Sequence, residues 1–220
     1  MDTRIARGDD VPAALEVWRA SLAAGGARPS AARAQQVGAR LAAPDALLVV
    51  GEDDGSVRGV ALGGWVPDGA GGFVPGLLRL VLLVVHPEVR RRGVGTQLAE
   101  ALADAGWGRG ARRLVATPDD PAGRAFLTAC GLAPGEAGDL VGELEPPVRE
   151  LVVREDGLRL GQLLKLAGLV ETGAEGKALL AAGGVQVDGE VELRRGRQLR
   201  DGELVVAQDQ AVRVVRGTPD

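Results

Sequence analysis

The chain has 220 residues and a formal net charge of −4, with 45% hydrophobic and 25% charged residues, a globular composition with room for one large domain or two small ones. A single Cys (Cys130) and a single His (His86) exclude a disulfide framework, a multi-Cys zinc site and a His-rich cluster, so no metal is expected. Met1 to Arg4 carries no apolar segment and the longest aliphatic run, Leu80 to Val85, is too short to cross a bilayer, so the expectation is a soluble, cytoplasmic protein with no membrane partner.

A short strand is expected at Thr3–Arg7, and helices at 11–24 and 30–42, the second capped by Ser30. Ala46–Gly51 and Val57–Trp65 read as strands paired around Asp53-Asp54-Gly55. Gly69–Gly72 and Pro75-Gly76 mark a loop, and the aliphatic Leu77–Val85 reads as a strand buried on both faces. A helix over 93–108, a strand at 114–117, a helix over 121–130 and a strand at 140–144 complete an α/β (α+β) pattern with a partly antiparallel sheet. Pro146-Pro147 then breaks the chain and gives two domains, 1–147 and 151–216. The second reads as short helices at 158–168 and 173–182, a hairpin around Asp188-Gly189, and strands at 203–207 and 211–215. Trp18 and Trp65 read as core packing, and Cys130 as a small core residue.

The sharpest local anomaly joins the aliphatic strand to the next helix. Arg90, Arg91 and Arg92 crowd a helix N-terminus, where each cation costs about 0.3–1 kcal/mol against the macrodipole. Gly93 and Gly95 weaken the opening turns by about 1 kcal/mol each. An anion at this point reverses both faults, because amides bared by the glycines can cradle it while the arginines neutralise it.

Arg90-x-x-Gly93-x-Gly95 after Val85-x-Pro87 resembles the acyl-CoA motif of the GCN5-related N-acetyltransferases. Asp120-Pro-Ala-Gly-Arg-Ala-Phe126-Leu-Thr-Ala-Cys-Gly131-Leu132 resembles that family's second motif, and the order of elements agrees over about residues 3–145. The resemblance implies a central mixed sheet flanked by helices and acetyl-CoA as cofactor. It implies that the backbone of Leu83, Val84 and Val85 pairs with the pantetheine arm, and that Arg90, Arg91, Arg92, Gly93, Val94, Gly95 and Thr96 hold the pyrophosphate. Asp120, Arg124 and Phe126 would then flank the thioester end. The reaction implied is direct attack of an amine on the acetyl carbonyl. Where the family commonly has a Tyr as general acid this chain has Leu127, and there is no Tyr anywhere in it. His86 is a weak catalytic candidate, and Glu52, Asp53, Asp54 and Asp68 lie in loops where an acceptor could enter; no catalytic residue is assigned.

Residues 154–206 resemble the S-four type RNA-binding domain, through Leu164-Lys165-Leu-Ala-Gly-Leu169 and Asp188-Gly189-Glu-Val-Glu-Leu-Arg194-Arg195-Gly196-Arg197. Arg194, Arg195, Arg197 and Arg200 lie in a window without an acid, and Lys165 and Lys177 are the chain's two lysines. No aromatic residue follows Trp107 except Phe126, whose place is in the first domain, so these cations would read RNA phosphates and shape rather than stacked bases. The two resemblances together imply an acetyl-CoA-dependent N-acetyltransferase tethered to structured RNA, ribosomal or transfer, that acetylates an amine on the RNA or on a nearby protein. The alternatives are an RNA-binding factor whose first domain binds acyl-CoA without turnover, and a small-molecule acetyltransferase with an accessory module.

Overall fold

The computed structural model describes residues 1–153 and 157–217, in two compact units, Met1–Glu145 and Pro146–Asp220. In the first, strand β1 (Asp2–Ile5) precedes helices α1 (Val11–Ala24) and α2 (Ala31–Leu41). Strands β2 (Leu47–Asp53), β3 (Ser56–Pro67) and β4 (Phe73–Val85) follow. Helix α3 (Val94–Trp107), strand β5 (Arg113–Ala116), helix α4 (Pro121–Ala129) and strands β6 (Ala133–Pro134) and β7 (Leu140–Glu143) complete the unit. The strands form one sheet in the order β1-β2-β3-β4-β5-β7-β6, antiparallel except for the β4–β5 pair. The expected mixed α/β architecture is therefore present.

One side of this sheet packs on α3 and α4 through Leu78, Leu98, Leu102, Leu114 and Leu127. The other packs on α1 and α2 through Val17, Leu41, Leu48, Val60 and Leu62. Gly59 lets α3 press close, since a Cβ there would lie 2.7 Å from the Leu98 side chain. Ser30 accepts a hydrogen bond from the Arg33 amide and starts α2 as expected.

Two expectations about β4 change. Pro75-Gly76 is not a loop: it lies within β4, in a wide bulge where pairing passes from Trp65↔Leu78 to Pro67↔Phe73. The proline is accommodated there because the ladder is already interrupted. Nor is the aliphatic stretch buried on both faces; of Leu77–Val85 only Leu78 is fully buried, and the others are half-buried. A second bulge explains part of this. Pairing passes from Gly63↔Leu80 to Leu62↔Leu82, so Val81 is an extra residue. Val81 and Leu82 consequently both join the α1/α2 side, while Leu80 and Leu83 join the α3 side.

The second unit holds strand β8 (Val148–Val153), helices α5 (Leu160–Leu166) and α6 (Gly173–Ala181), and strands β9 (Val185–Val187), β10 (Glu190–Val191), β11 (Leu204–Ala207) and β12 (Gln210–Arg216). The sheet order is β10-β9-β11-β12-β8, with β8 parallel to β12 along its edge. Strand β8 is not expected from the sequence, where the two prolines read as a break followed by a linker. The tight β9–β10 hairpin is as expected, with Asp188 at φ 50° and Gly189 at φ 83°. The stretch 154–156, where the sequence resemblance begins, lies outside the described residues.

Candidate functional site

The site is built where β4 parts from β5. Their parallel pairing runs from Leu77↔Arg113 to Leu80↔Ala116 and ends at the Val81 bulge. Beyond it β4 continues for four residues, Leu82–Val85, paired only to β3. The backbone of Val81–Val85 thus presents an open edge on the β5 side. A cleft of about 210 Å3 follows this edge, between Leu80–Leu83 on one side and Ala116–Asp120, Phe126 and Leu127 on the other.

At the end of β4 the chain turns through Pro87–Val89 into α3. Arg91 adopts φ 61° and Gly93, the N-cap, φ 79°; left-handed geometry at these two positions turns the chain sharply into the helix. Gly93 supplies no capping side chain, and the first bond to it is from the Gln97 amide to its carbonyl. Among the described residues, the amides of Arg91 to Thr96 donate to no protein acceptor. Six consecutive free N–H groups at the start of a 14-residue helix form a strong anion-binding surface.

The sequence-selected residues divide here. Leu83, Gly95 and Phe126 come together: a Cβ on Gly95 would lie 3.3 Å from the Phe126 ring and 3.8 Å from the Leu83 side chain. Val84 faces the opposite side of the sheet and Val85 the same side as Leu83. Arg91 and Arg92 are exposed without a side-chain partner among the described residues. Arg90 is committed elsewhere. It donates to the Val85 carbonyl (3.3 Å) and to the Ser21 carbonyl (3.3 Å) and Oγ (2.9 Å), pinning the turn to α1. Asp120 caps α4 by accepting from the Gly123 amide at 2.8 Å, and Arg124 donates to the Gly138 carbonyl.

Of the ionisable candidates, His86 lines no part of the cleft; its Nδ1 is buried and lies 3.5 Å from Glu88 Oε2, which also accepts from Arg58. Asp68 is a turn residue whose carboxylate accepts from the Ala70 and Gly72 amides, which holds its pKa below the usual range. Glu52 pairs with Arg4. Burial pushes the Cys130 thiol up, in keeping with a core role. Leu127 is 5% exposed and borders the cleft with a purely apolar side chain. Thr117 and Asp119, also on this cleft, carry no sequence signal that singles them out.

In the second unit the arginine window is not a uniform cationic patch. Buried Glu192 accepts from the Arg194 amide (2.8 Å), Nε (3.0 Å) and terminal nitrogen (2.8 Å), and lies 3.5 Å from Arg197. These bonds hold the Glu192 carboxyl down at about 2. Arg197 also pairs with Glu203 at 3.2 Å. Arg195 instead lies across Gly161 and Gly173, at the starts of α5 and α6; its Cγ comes within 2.5 Å of where a Gly161 Cβ would stand. Arg195, Arg200, Lys165 and Lys177 are exposed without an acidic partner among the described residues.

Residues 15–132 match the acetyltransferase (GNAT) family and residues 151–215 match the S4 domain. No protein of curated function matches the chain. Among solved structures, a GNAT family acetyltransferase from Brucella melitensis in complex with acetyl-CoA is similar at 26% identity and a TM-score of 0.52, over 66% of this chain and 88% of that one. The GNAT domain of PAT from S. lividans is similar at 18% identity and a TM-score of 0.52, over 64% of this chain and 89% of that one.

Proposed function

Because this chain belongs to the acetyltransferase (GNAT) family, we propose that it is an N-acetyltransferase that uses acetyl-CoA, held to structured ribosomal or transfer RNA by its S4 domain, with an amine on that RNA or on a protein beside it as acceptor. The observation that carries the reading is the row of free amides from Arg91 to Thr96 at the foot of the open β4 edge. A pyrophosphate fits the amides, with Arg91 and Arg92 beside it, and the polar arm of the cofactor fits the unpaired backbone of Leu83–Val85. Gly95 keeps the approach low, with Phe126 against it. When bound, acetyl-CoA supplies an activated acetyl group: the amine nitrogen bonds to the acetyl carbon, the carbon–sulfur bond breaks, and the nitrogen's proton ends on the departing sulfur.

This chain's residues bind and orient. Leu80, Leu82, Leu83 and Phe126 line an apolar cleft, where Asp119 and Asp120 are the acidic groups on its rim. Leu127 has no proton to give, so water, rather than a side chain at this position, relays the nitrogen's proton to the departing thiolate. That same leucine favours a second reading, in which the domain binds acyl-CoA without turnover. Calorimetry with acetyl-CoA tests the shared premise: the native protein binds it, and Gly95→Val abolishes binding while its circular dichroism is unchanged. Absence of binding to the native protein overturns both readings. Acetyl transfer to ribosomes or transfer RNA, read by mass spectrometry, separates enzyme from binder.

A further inference from the structure

A second cleft lies on the opposite, α1/α2 side of the sheet and reaches the same bulge. It is about 720 Å3, its floor is formed by Trp18, Leu62, Val81 and Leu82, and α2 forms one wall. Val81 and Leu82 border both this cleft and the one assigned above to the cofactor, so the two clefts share this point of β4 as a common border. The wall is rigidly placed. Ser30 caps the helix, and Gly38 brings it within 3.6 Å of Leu15 on α1, measured from where its Cβ would stand.

Charge on this wall is one-sided. Between Glu16 and Asp45 there is no acidic residue, yet Arg19, Arg28, Arg33 and Arg40 fall in that stretch of a chain whose net charge is −4. Helical spacing puts Arg33, Gln36, Val37 and Arg40 on one stripe, and all four line the cleft. Neither Arg33 nor Arg40 has a carboxylate or carbonyl partner among the described residues, whereas Arg4, Arg19, Arg58, Arg194 and Arg197 are all paired with acids. An apolar floor under two unpaired guanidinium groups selects a ligand with an apolar or aliphatic portion and an anion.

Resting on the acetyl-transfer reading, we propose that the acceptor is the amine of an acidic polypeptide segment: the amine enters over Val81 toward the cofactor cleft, and a neighbouring Asp or Glu carboxylate is held by Arg33 and Arg40. A peptide is favoured over a nucleobase because the aliphatic floor of Leu62, Val81 and Leu82 suits apolar side chains beside a carboxylate, whereas a flipped base is commonly held on an aromatic face. The aromatic ring in this cleft, that of Trp18, is 6% exposed. Phosphate contacts alone would not use the apolar floor.

The test compares short peptides that share an N-terminal Ala followed by acidic, neutral or basic residues, with an amine-bearing RNA oligonucleotide as a fourth arm. Binding to the full chain is measured by fluorescence anisotropy, and acetylation by mass spectrometry. The acidic peptide is expected to bind about tenfold more tightly than the neutral one. Arg33→Gln with Arg40→Gln removes that preference, and Arg33→Glu with Arg40→Glu transfers it to the basic peptide. In turnover the same change appears in KM with kcat retained. Equal affinity for the three peptides, a preference that survives both double variants, or preference for the oligonucleotide overturns the proposal. The binding arm reads the site even where no acetyl transfer occurs, and acetyl-CoA calorimetry and acetyl transfer to ribosomes or transfer RNA report separately on the proposed activity.

Discussion

Glu192 shows how far a single buried carboxylate reorganises a run of arginines. Leu193–Arg200 contains no acid, so the sequence suggests four equivalent cations. Folding brings in Glu192 from one side and Glu203 from the other, and Arg194 and Arg197 become structural partners. Charge pairing of this kind depends on burial, which residue order does not record. Because the Glu192 carboxyl titrates at about 2 in the folded chain against an ordinary 4.5, the unfolded chain binds the proton more readily. The stability it contributes is fully present above pH 4.5 and is lost as the pH falls toward 2. Glu192→Gln should therefore speed hydrogen exchange in β9 through β12 at pH 7, with the difference from the native protein shrinking steadily toward about pH 3. A difference independent of pH would refute the assignment. Arg90 makes the same point at the other site. In sequence it is one of three adjacent arginines, but its reach to Ser21, 69 positions away in the chain, sets it apart from Arg91 and Arg92.

At the scale of elements, legibility follows periodicity. The helices α1 to α4 and the strands β2, β5 and β7 lie within a residue or two of their expected positions because their patterns are long or bounded by caps and turns. Strand β4 is legible, but its two bulges are not. A uniformly aliphatic run looks the same with or without an extra residue, so neither the open edge nor the half-exposed face can be read from it. Strand β8 escapes the sequence because its partner, β12, lies over 60 residues further along the chain. The Val81 bulge gives a specific prediction. Removing Val81 leaves Leu80 and Leu82 paired with Gly63 and Leu62 in regular alternation, so every side chain keeps its present face. The deletion variant should fold, with a melting temperature within a few degrees of native, yet lose acetyl-CoA affinity by at least tenfold because β4 no longer bends away from β5. Retained affinity in a folded variant would show that the bulge does not open the cleft.

For the whole molecule the electrostatics argue against attraction by bulk charge. Residues 1–150 carry 16 basic and 19 acidic side chains, and residues 151–216 carry ten of each. In the proposed reading RNA binding would therefore rest on a few local cations, and Arg195 and Arg200 are the arginines of the window without an acidic partner among the described residues. For the proposed tether, the benefit to acetyl transfer would be one of concentration. With only Pro146-Pro147 between the last residue of the first unit and strand β8, an RNA-held acceptor within reach experiences an effective enzyme concentration in the millimolar range. Replacing both Arg195 and Arg200 by Gln should flatten the slope of log affinity against log salt by roughly 0.7 for each phosphate that the variant no longer neutralises. The same variant should keep native acetyl-CoA affinity and native turnover of a free peptide, while its KM for an RNA-associated acceptor rises at least tenfold. A defect shared by the free peptide would place these arginines in the stability of the chain rather than in the tether. An unchanged KM for the RNA-associated acceptor would show that the second unit contributes nothing to substrate capture.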